Sequence, residues 1–376
     1  MVEYTIGRAD EKDEIVDFIN YVFSFSHQPH NFKTLLPKSY ADDADGLGAI
    51  HYLAKKDGKI KAMVANRIID VTFCGNTLKY GLIGNVSVHP YSRGEGFMKK
   101  LMTTAVEEAK QNGIDALVLG GQRQRYGYFG FENAGANYVF TISKTNIRHC
   151  FPDVDDSGIT LHPLTEENPE EVDTAKALYE KNIFHALRDR AEFIHIMHSW
   201  NKECRVICKN GEMIGYTYGN LDELVLKDES DFPAVLKGIF RLDNLTQIEL
   251  TVAPFMKERV ESLVKICEVY SIACVEMINV ICWERVLKTL LELKSTYTSL
   301  TDGSAELKID GVGYRITVAG GVPSVEETDV DDTNAIILSH NGAIQAFFGI
   351  TSLMTPDERL KNWAPLPFEI DVPDRY

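Results

Sequence analysis

The chain has no long hydrophobic run. Its most apolar stretches, such as Ala335–Leu338 and Ile278–Trp283, fall far short of the roughly 20 residues a bilayer-spanning helix needs. Positive charge is also in deficit, with 39 Lys and Arg against 55 Asp and Glu and a formal net charge of −16. Phosphate backbones and anionic lipid surfaces are repelled by such a chain, so nucleic acid is not expected as a partner; the acidity also suits a cationic substrate such as an amine, although most excess charge on soluble proteins only keeps them soluble. Cysteine is sparse: the 7 cysteines are odd in number and scattered, without a CxxC pair. A disulfide framework is therefore not expected, and Cys204 and Cys208, with no nearby histidines, read as strand-core residues, so no metal is expected. Reduced thiols and an acidic opening at Met1–Glu14, unlike the basic start of a secretion signal, give a cytoplasmic expectation. Phosphate-loop signatures are missing as well. GxxxxGK[ST] does not occur, and Lys99 occupies the third glycine place of a GxGxxG, which lowers ATP and NAD as ligands.

What is present is a globular composition, 44% hydrophobic and 25% charged over 376 residues, long enough for two or three domains. The first third alternates strands and helices in an α/β manner. A strand at Tyr4–Arg8 precedes a helix over Asp10–Phe25, where Ile15, Phe18, Ile19, Val22 and Phe23 recur at helical spacing. Phe25–Asp45 has neither period and contains Pro29 and Pro37, so it reads as a long loop with at most a helical turn. Ile50–Lys55, Ile60–Val71 and Leu78–Val88 form an antiparallel meander, joined by Asp57–Gly58 and Gly75–Asn76 turns. A helix over Phe97–Gln111 and a buried strand at Asp115–Gly120 follow. After the acidic link Pro152–Ser157, a second segment carries the hairpin Cys204–Lys209 and Met213–Tyr218, a helix at Asp231–Leu242, a strand at Gln247–Val252 and a helix at Phe255–Tyr270. A third, from about Val286, has strands at Ala305–Ile309, Val312–Val318 and Ala335–Leu338, a helix at Asn341–Gly349 and a proline-rich end, Ala364–Tyr376. Three domains are expected, over residues 1–150, 151–285 and 286–376.

Two motifs carry chemistry. The first runs from Val86 through Ser87, Val88 and His89 to Arg93, Gly94, Glu95, Gly96, Phe97, Met98 and Lys99. A glycine turn entering a helix gathers free backbone N–H groups at the positive end of the helix dipole, which suits a pyrophosphate, and Arg93 and Lys99 add charge. An ordinary capping turn is the plainer reading of the same residues. The second motif is Gly120-Gly121-Gln122-Arg123-Gln124-Arg125-Tyr126-Gly127-Tyr128-Phe129-Gly130-Phe131. Its tyrosines offer a phenol that can protonate a leaving group, and its aromatics equally suit a core plug.

Together these stretches resemble the acetyl-CoA-binding unit of GNAT acetyltransferases, and the YGYFGF segment resembles the Eis (enhanced intracellular survival) branch of that family. The resemblance implies a GNAT-type mixed α/β sheet, a second GNAT-like domain without its own coenzyme site, and a third domain like sterol carrier proteins. It implies acetyl-CoA as cosubstrate, an amine on a small molecule or peptide as acceptor, and a homo-oligomer, typically a hexamer. Val86, Ser87 and Val88 would pair with the pantetheine arm and Arg93–Lys99 cradle the pyrophosphate, with Gly121 and Gln122 completing the coenzyme site. Tyr126 takes the general-acid role toward the thiolate. No carboxylate stands at Leu82-Ile83-Gly84-Asn85, where many members place a glutamate; of the local candidates, His89 reads as a turn cap and Glu132 as a solvated side chain. The resemblance supplies another base, the terminal carboxylate of Tyr376. Phe23, Ser26 and His27 are expected beside the acceptor, from the placement of their loop. Met98, where many members have Gly or Ala, and Arg375, where aminoglycoside-modifying members have an acid, are departures. The rival expectation is a lipid- or small-molecule-binding protein that responds to acyl-CoA without turnover.

Overall fold

The computed structural model describes residues 1–26, 28–43, 46–354 and 357–376. Strand β1 (Val2–Ile6) leads into α1 (Lys12–Ser26), the single-turn helices α2 (Phe32–Leu35) and α3 (Pro37–Tyr40), and the meander β2 (Ile50–Lys56), β3 (Lys59–Phe73) and β4 (Asn76–Val88). Helix α4 (Phe97–Gln111) buries Leu101, Met102, Ala105 and Ala109, one face at helical spacing, and is followed by β5 (Ala116–Leu119). Then come α5 (Arg123–Tyr126), β6 (Glu132–Ala134), β7 (Asn137–Ser143) and α6 (Lys144–Cys150). The middle of the chain forms β8 (Ile159–Pro163), α7 (Pro169–Tyr179), β9 (Phe184–Ala186), α8 (Arg190–Met197), β10 (Cys204–Lys209), β11 (Glu212–Tyr218) and β12 (Glu223–Leu226). It continues through α9 (Phe232–Leu242), β13 (Gln247–Val252), α10 (Lys257–Val264), β14 (Val269–Ala273) and β15 (Glu276–Val280). The last part holds α11 (Trp283–Ser295), β16 (Gly303–Ile309), β17 (Val312–Ala319), β18 (Val322–Glu327), β19 (Ile336–Leu338), α12 (His340–Phe348) and α13 (Thr351–Met354).

The fold is mixed α/β. Its main sheet runs β1-β2-β3-β4-β5-β15-β6, with β9 added beside β3. A second sheet runs β12-β11-β10-β8, a third β13-β7-β14, and a fourth β18-β17-β16-β19. Strands cross between the first and middle parts of the chain. β15 inserts between β5 and β6, while β7 lies between β13 and β14. This exchange ties the first and middle parts of the chain together through backbone hydrogen bonds. The helix expected over Phe255–Tyr270 stops at Val264. Val269, Tyr270 and Ile272 instead form β14 against β7, where β-branched and aromatic side chains are better accommodated than on a helix. The long loop of residues 25–45 contains two turns of helix, α2 and α3, where one at most is expected. Among the described residues no helix is long and apolar enough to cross a membrane. All seven cysteines are free.

Candidate active site

Strand β4 opens the main sheet at its centre. It pairs in parallel with β5 only where Tyr80–Ile83 face Ala116–Leu119. Just beyond, a bulge interrupts its antiparallel ladder with β3: Ala65 faces Gly84 and Met63 faces Ser87, so Asn85 and Val86 stand opposite one residue. Asn85 adopts a left-handed φ of 50° there. From Val86 to Val88 the strand follows β3 while its other edge has left β5, which frees backbone groups for an extended ligand arm. Ser87 Oγ is buried without a partner among the described residues.

Below this opening the chain turns into α4. Gly94 and Gly96 have φ of 87° and 82°, and the space where either Cβ would stand is open, so the backbone can be approached closely. The first helical bond of the turn runs from Lys100 N–H to the Gly96 carbonyl at 3.2 Å, which leaves the preceding N–H groups at the helix start for an anion. Phe97 is buried and Met98 packs against the same core, so these two anchor the helix and offer only backbone. Glu95 pairs with Lys56 at 2.7 Å, which turns its charge away. Lys99 is exposed. Arg93 donates to Ser26 Oγ at 3.0 Å, joining the turn to the end of α1. His89 accepts from Tyr91 N–H at 3.3 Å and stacks on Tyr21; it is the turn cap expected of it.

Tyr126 is buried in the cluster that contains Ile83, Phe97 and Leu119, with Val86 and Val88 packed against it. Gln122 starts its helix, its carbonyl accepting from Arg125 and Tyr126 N–H at 2.9 and 3.2 Å. Gly121, at φ 144°, leaves the room its neighbour needs, since a Cβ would come within 2.8 Å of the Tyr126 ring. Burial raises the Tyr126 pKa, with the Arg125 charge and hydrogen bond opposing. The phenol keeps its proton at neutral pH.

The chain terminus lies on the other face of the strand. A Cβ at Gly84 would stand 2.8 Å from the Tyr376 carboxyl carbon and 3.0 Å from its oxygen. The Tyr376 ring comes against the same position, so ring and carboxyl group together fill the space where β4 has no side chain. Alternation along β4 puts Leu82 and Gly84 on this face and Ile83 on that of Tyr126. The Tyr376 phenol meets Tyr40 OH at 2.8 Å; Tyr40 also accepts from Asn85 Nδ2 at 2.7 Å and donates to His51 Nε2 at 2.8 Å. His51 Nδ1 faces the Ala49 carbonyl at 2.8 Å, which fixes the proton there and leaves Nε2 to accept.

Three side chains that sequence reasoning did not single out hold the tail. Lys38, 2% exposed, donates to the Pro373 carbonyl at 2.6 Å and to that of Arg375. Burial pulls its pKa well below the lysine range, against the pull of Asp374. Trp200 donates to the Arg375 carbonyl at 3.2 Å. Arg188 lies 3.6 Å over the Tyr179 ring and forks between Asp374, at 2.8 Å, and Glu223, at 2.6 Å.

Other expectations are corrected or left aside. Glu132 is not solvated: it is 2% exposed, pairs with Arg123 at 2.6 Å and accepts from Gln345 at 3.0 Å, so no lone pair remains poised as a base. Phe23 packs on Phe32 and His30, with ring centroids 5.0 and 5.7 Å apart, at the rim of the α1 core. Ser26 is exposed beside Arg93. His27 lies outside the described residues.

Burial lowers the His51 pKa from 6.5 to about 4, with the Ala49 hydrogen bond opposing. The unfolded chain takes up that proton as pH falls below about 6.5 and the folded one resists it. The stability owed to the neutral ring is therefore complete above about pH 6.5 and is lost as pH falls toward 4, by about 3 kcal/mol at most. The thermal midpoint should drop between pH 6.5 and 4.5, and His51→Gln should flatten that slope. An unchanged slope in the variant would assign the acid sensitivity to other groups.

Residues 3–134 match the acetyltransferase (GNAT) domain family. No curated protein matches the sequence. Among solved structures, a GCN5-related N-acetyltransferase from Anabaena variabilis is similar at 13% identity and a TM-score of 0.67, with 100% of each chain covered. A conserved protein of unknown function and probable N-acyltransferase from Enterococcus faecalis is similar at 16% identity and a TM-score of 0.65, covering 92% of this chain and 90% of that one. Eis1 from Mycobacterium abscessus is similar at 15% identity and a TM-score of 0.62, covering 93% and 90%. At these identities the likeness is one of fold, and it extends over nearly the whole chain. The first part of the chain is thus a GNAT acetyltransferase domain, and the chemistry that goes with it is acyl transfer.

Proposed function

We propose that the protein transfers an acetyl group from acetyl-CoA to an amine, in the manner of the Eis branch. One observation carries this: the terminal carboxyl group and the buried Tyr126 flank the opened stretch of β4 from opposite faces. The coenzyme is a pyrophosphate on an extended arm. Backbone N–H groups at Gly94–Lys99 would hold the first with Arg93 beside them, and Val86–Val88 the second, with Ser87, Gly121 and Gln122 bordering the arm. The acceptor side is assigned to Phe23, Ser26 and His27.

In the proposed reaction the amine nitrogen bonds to the thioester carbonyl carbon, and backbone N–H near Val88 stabilises the charge on the carbonyl oxygen. The C–S bond then breaks. The Tyr376 carboxylate accepts the proton the nitrogen loses, and Tyr126 gives one to the departing thiolate. The division into domains 1–150, 151–285 and 286–376, the last like a sterol carrier protein, belongs to the same reading, as do a cytoplasmic site and a homo-oligomer, hexameric by resemblance. The test is thiol release from acetyl-CoA with a panel of polyamines, aminoglycosides and lysine peptides. Silence across the panel would return the chain to the reading of a binding protein.

Gly84 gives a sharper check. Gly84→Ala puts a methyl group against the Tyr376 ring and 2.8 Å from its carboxyl carbon, so the tail must shift. We expect kcat to fall at least about tenfold while acetyl-CoA affinity stays within about threefold. Unchanged kcat would separate the carboxyl group from the chemistry.

A further inference from the structure

The middle of the chain repeats the order strand, turn, helix, strand of the first domain, with β12, α9 and β13 in the places of β4, α4 and β5. Its two strands have parted entirely. β12 ends one sheet and β13 begins another, and between them lies a cavity of about 700 Å³, ample for a small ligand. None of the residues assigned to the coenzyme or the acceptor lines it; the tail borders it through Glu369, Asp371, Val372 and Arg375.

The wedge is built against a diphosphate. Its turn into α9, residues 227–231, has no glycine and carries three carboxylates where the first domain has Gly94–Gly96. Asp228 takes the Ser230 N–H at 2.8 Å, Glu229 pairs with Arg259 at 3.1 Å and Asp231 with Lys209 at 2.6 Å. An incoming phosphate would meet negative charge at an occupied turn.

The lining instead asks for a donor. Asn137 is 2% exposed, its Nδ2 donates to Glu369, and its Oδ1 has no partner among the described residues. Glu369 and Asp371 border the same space, and Glu249 lies exposed along it. The buried cation that lines it, Arg259, is committed to Glu229 and the Leu224 carbonyl, Arg375 lies 3.5 Å from Glu276, and Lys181 and Lys257 are exposed; Arg188, outside the lining, is divided between Glu223 and Asp374 and stands 3.9 Å from Asp371. Burial raises the pKa of both Glu369 and Asp371, with neighbouring carboxylates adding to the rise at Asp371 and Asn137 and Arg375 opposing it at Glu369. Apolar side chains supply part of the wall, among them Leu221, Leu224, Phe232, Leu250, Phe255 and Met256.

We propose that this wedge binds an ammonium group on an apolar body, with Asn137 Oδ1, Glu369 and Asp371 receiving the N–H groups and the apolar wall covering the rest. It is a site separate from the acetyl-transfer centre, and its occupant neighbours Arg375, one residue from the terminal carboxyl group.

The experiment is calorimetric titration of the full chain with 4-phenylbutylamine, against 4-phenylbutyrate and 4-phenylbutanol, with and without saturating coenzyme A. The amine should bind at least tenfold more tightly than either control in both conditions. Asn137→Leu should weaken it at least tenfold. Glu249→Lys, on an exposed side chain that folding does not need, should weaken it at least threefold, so the test survives if the first variant does not fold. Equal binding of the butyrate, no binding of the amine, or displacement by coenzyme A would overturn the proposal. So would amine binding that Glu249→Lys and a folded Asn137→Leu both leave unchanged, since the amine would then sit in the acceptor site. The readout is binding, so it is independent of whether the acetyl-transfer reading holds.

Discussion

Extending the chain by two glycines beyond Tyr376 is expected to lower kcat by about 10²–10⁴-fold, the range a positioned general base contributes, with acetyl-CoA affinity nearly unchanged. The extension converts the terminal carboxylate into a neutral amide while leaving every side chain in place. That group abuts Gly84 with no side chain between, so no neighbouring carboxylate on β4 is there to substitute for it. Lys38 and Trp200 grip the Arg375 carbonyl, and Arg188 grips Asp374, so the residues before the terminus stay seated. Tyr376→Phe is the companion. It keeps the carboxylate and loses only the phenol bonded to Tyr40, so its kcat should fall less than about tenfold. Steady-state rates with a saturating amine, beside calorimetric coenzyme affinity, separate the cases. A fully active extended enzyme would remove the tail from the mechanism.

Local pattern carried much of the fold. The buried face of α4 and the glycine turn ahead of it lie where helical spacing and the two glycines put them. The apolar stretch from Trp363 to Val372 reads against a frayed end, and Trp363, Leu366, Phe368 and Ile370 are buried. What escaped is what periodicity does not encode. Nothing in Asn137–Ser143 or Glu276–Val280 says which sheet each strand joins, because alternation specifies a buried face and not a neighbour. Lys38 and Arg188 find their tail partners more than 180 residues away, a pairing set by chain packing. The stretch Leu82–Asn85 did leave a trace, since it carries no carboxylate, but nothing in it says that the tail packs where Gly84 has no side chain. Glu132 is buried by packing that the sequence pattern does not encode: Arg123 folds onto it and Gln345 reaches it from the far end of the chain.

Tyr126→Phe should reduce kcat by about 10²–10³-fold while leaving coenzyme binding within about threefold. The ring stays, so the core shared with Ile83, Phe97 and Leu119 is preserved and stability changes little. Only the proton is removed. Burial raises the phenol's pKa, so the wild-type enzyme carries that proton at neutral pH, and the Arg125 charge limits the rise. A general acid matters most when the leaving group is poor. With a thioester of a lower-pKa aryl thiol in place of coenzyme A's alkyl thiol, the same substitution should cost much less, because the thiolate departs unprotonated. A phenol that merely packed the core would show the same loss with both thiols. Gly121→Ala bears on position and not on the proton: its methyl group would press on the Tyr126 ring at 2.8 Å and strain a φ of 144°. Its rate should fall by a similar factor with both thioesters, because the displaced phenol still donates. A loss concentrated on the alkyl thioester in Tyr126→Phe, together with an even loss on both thioesters in Gly121→Ala, is the pattern that a proton donor at residue 126 requires.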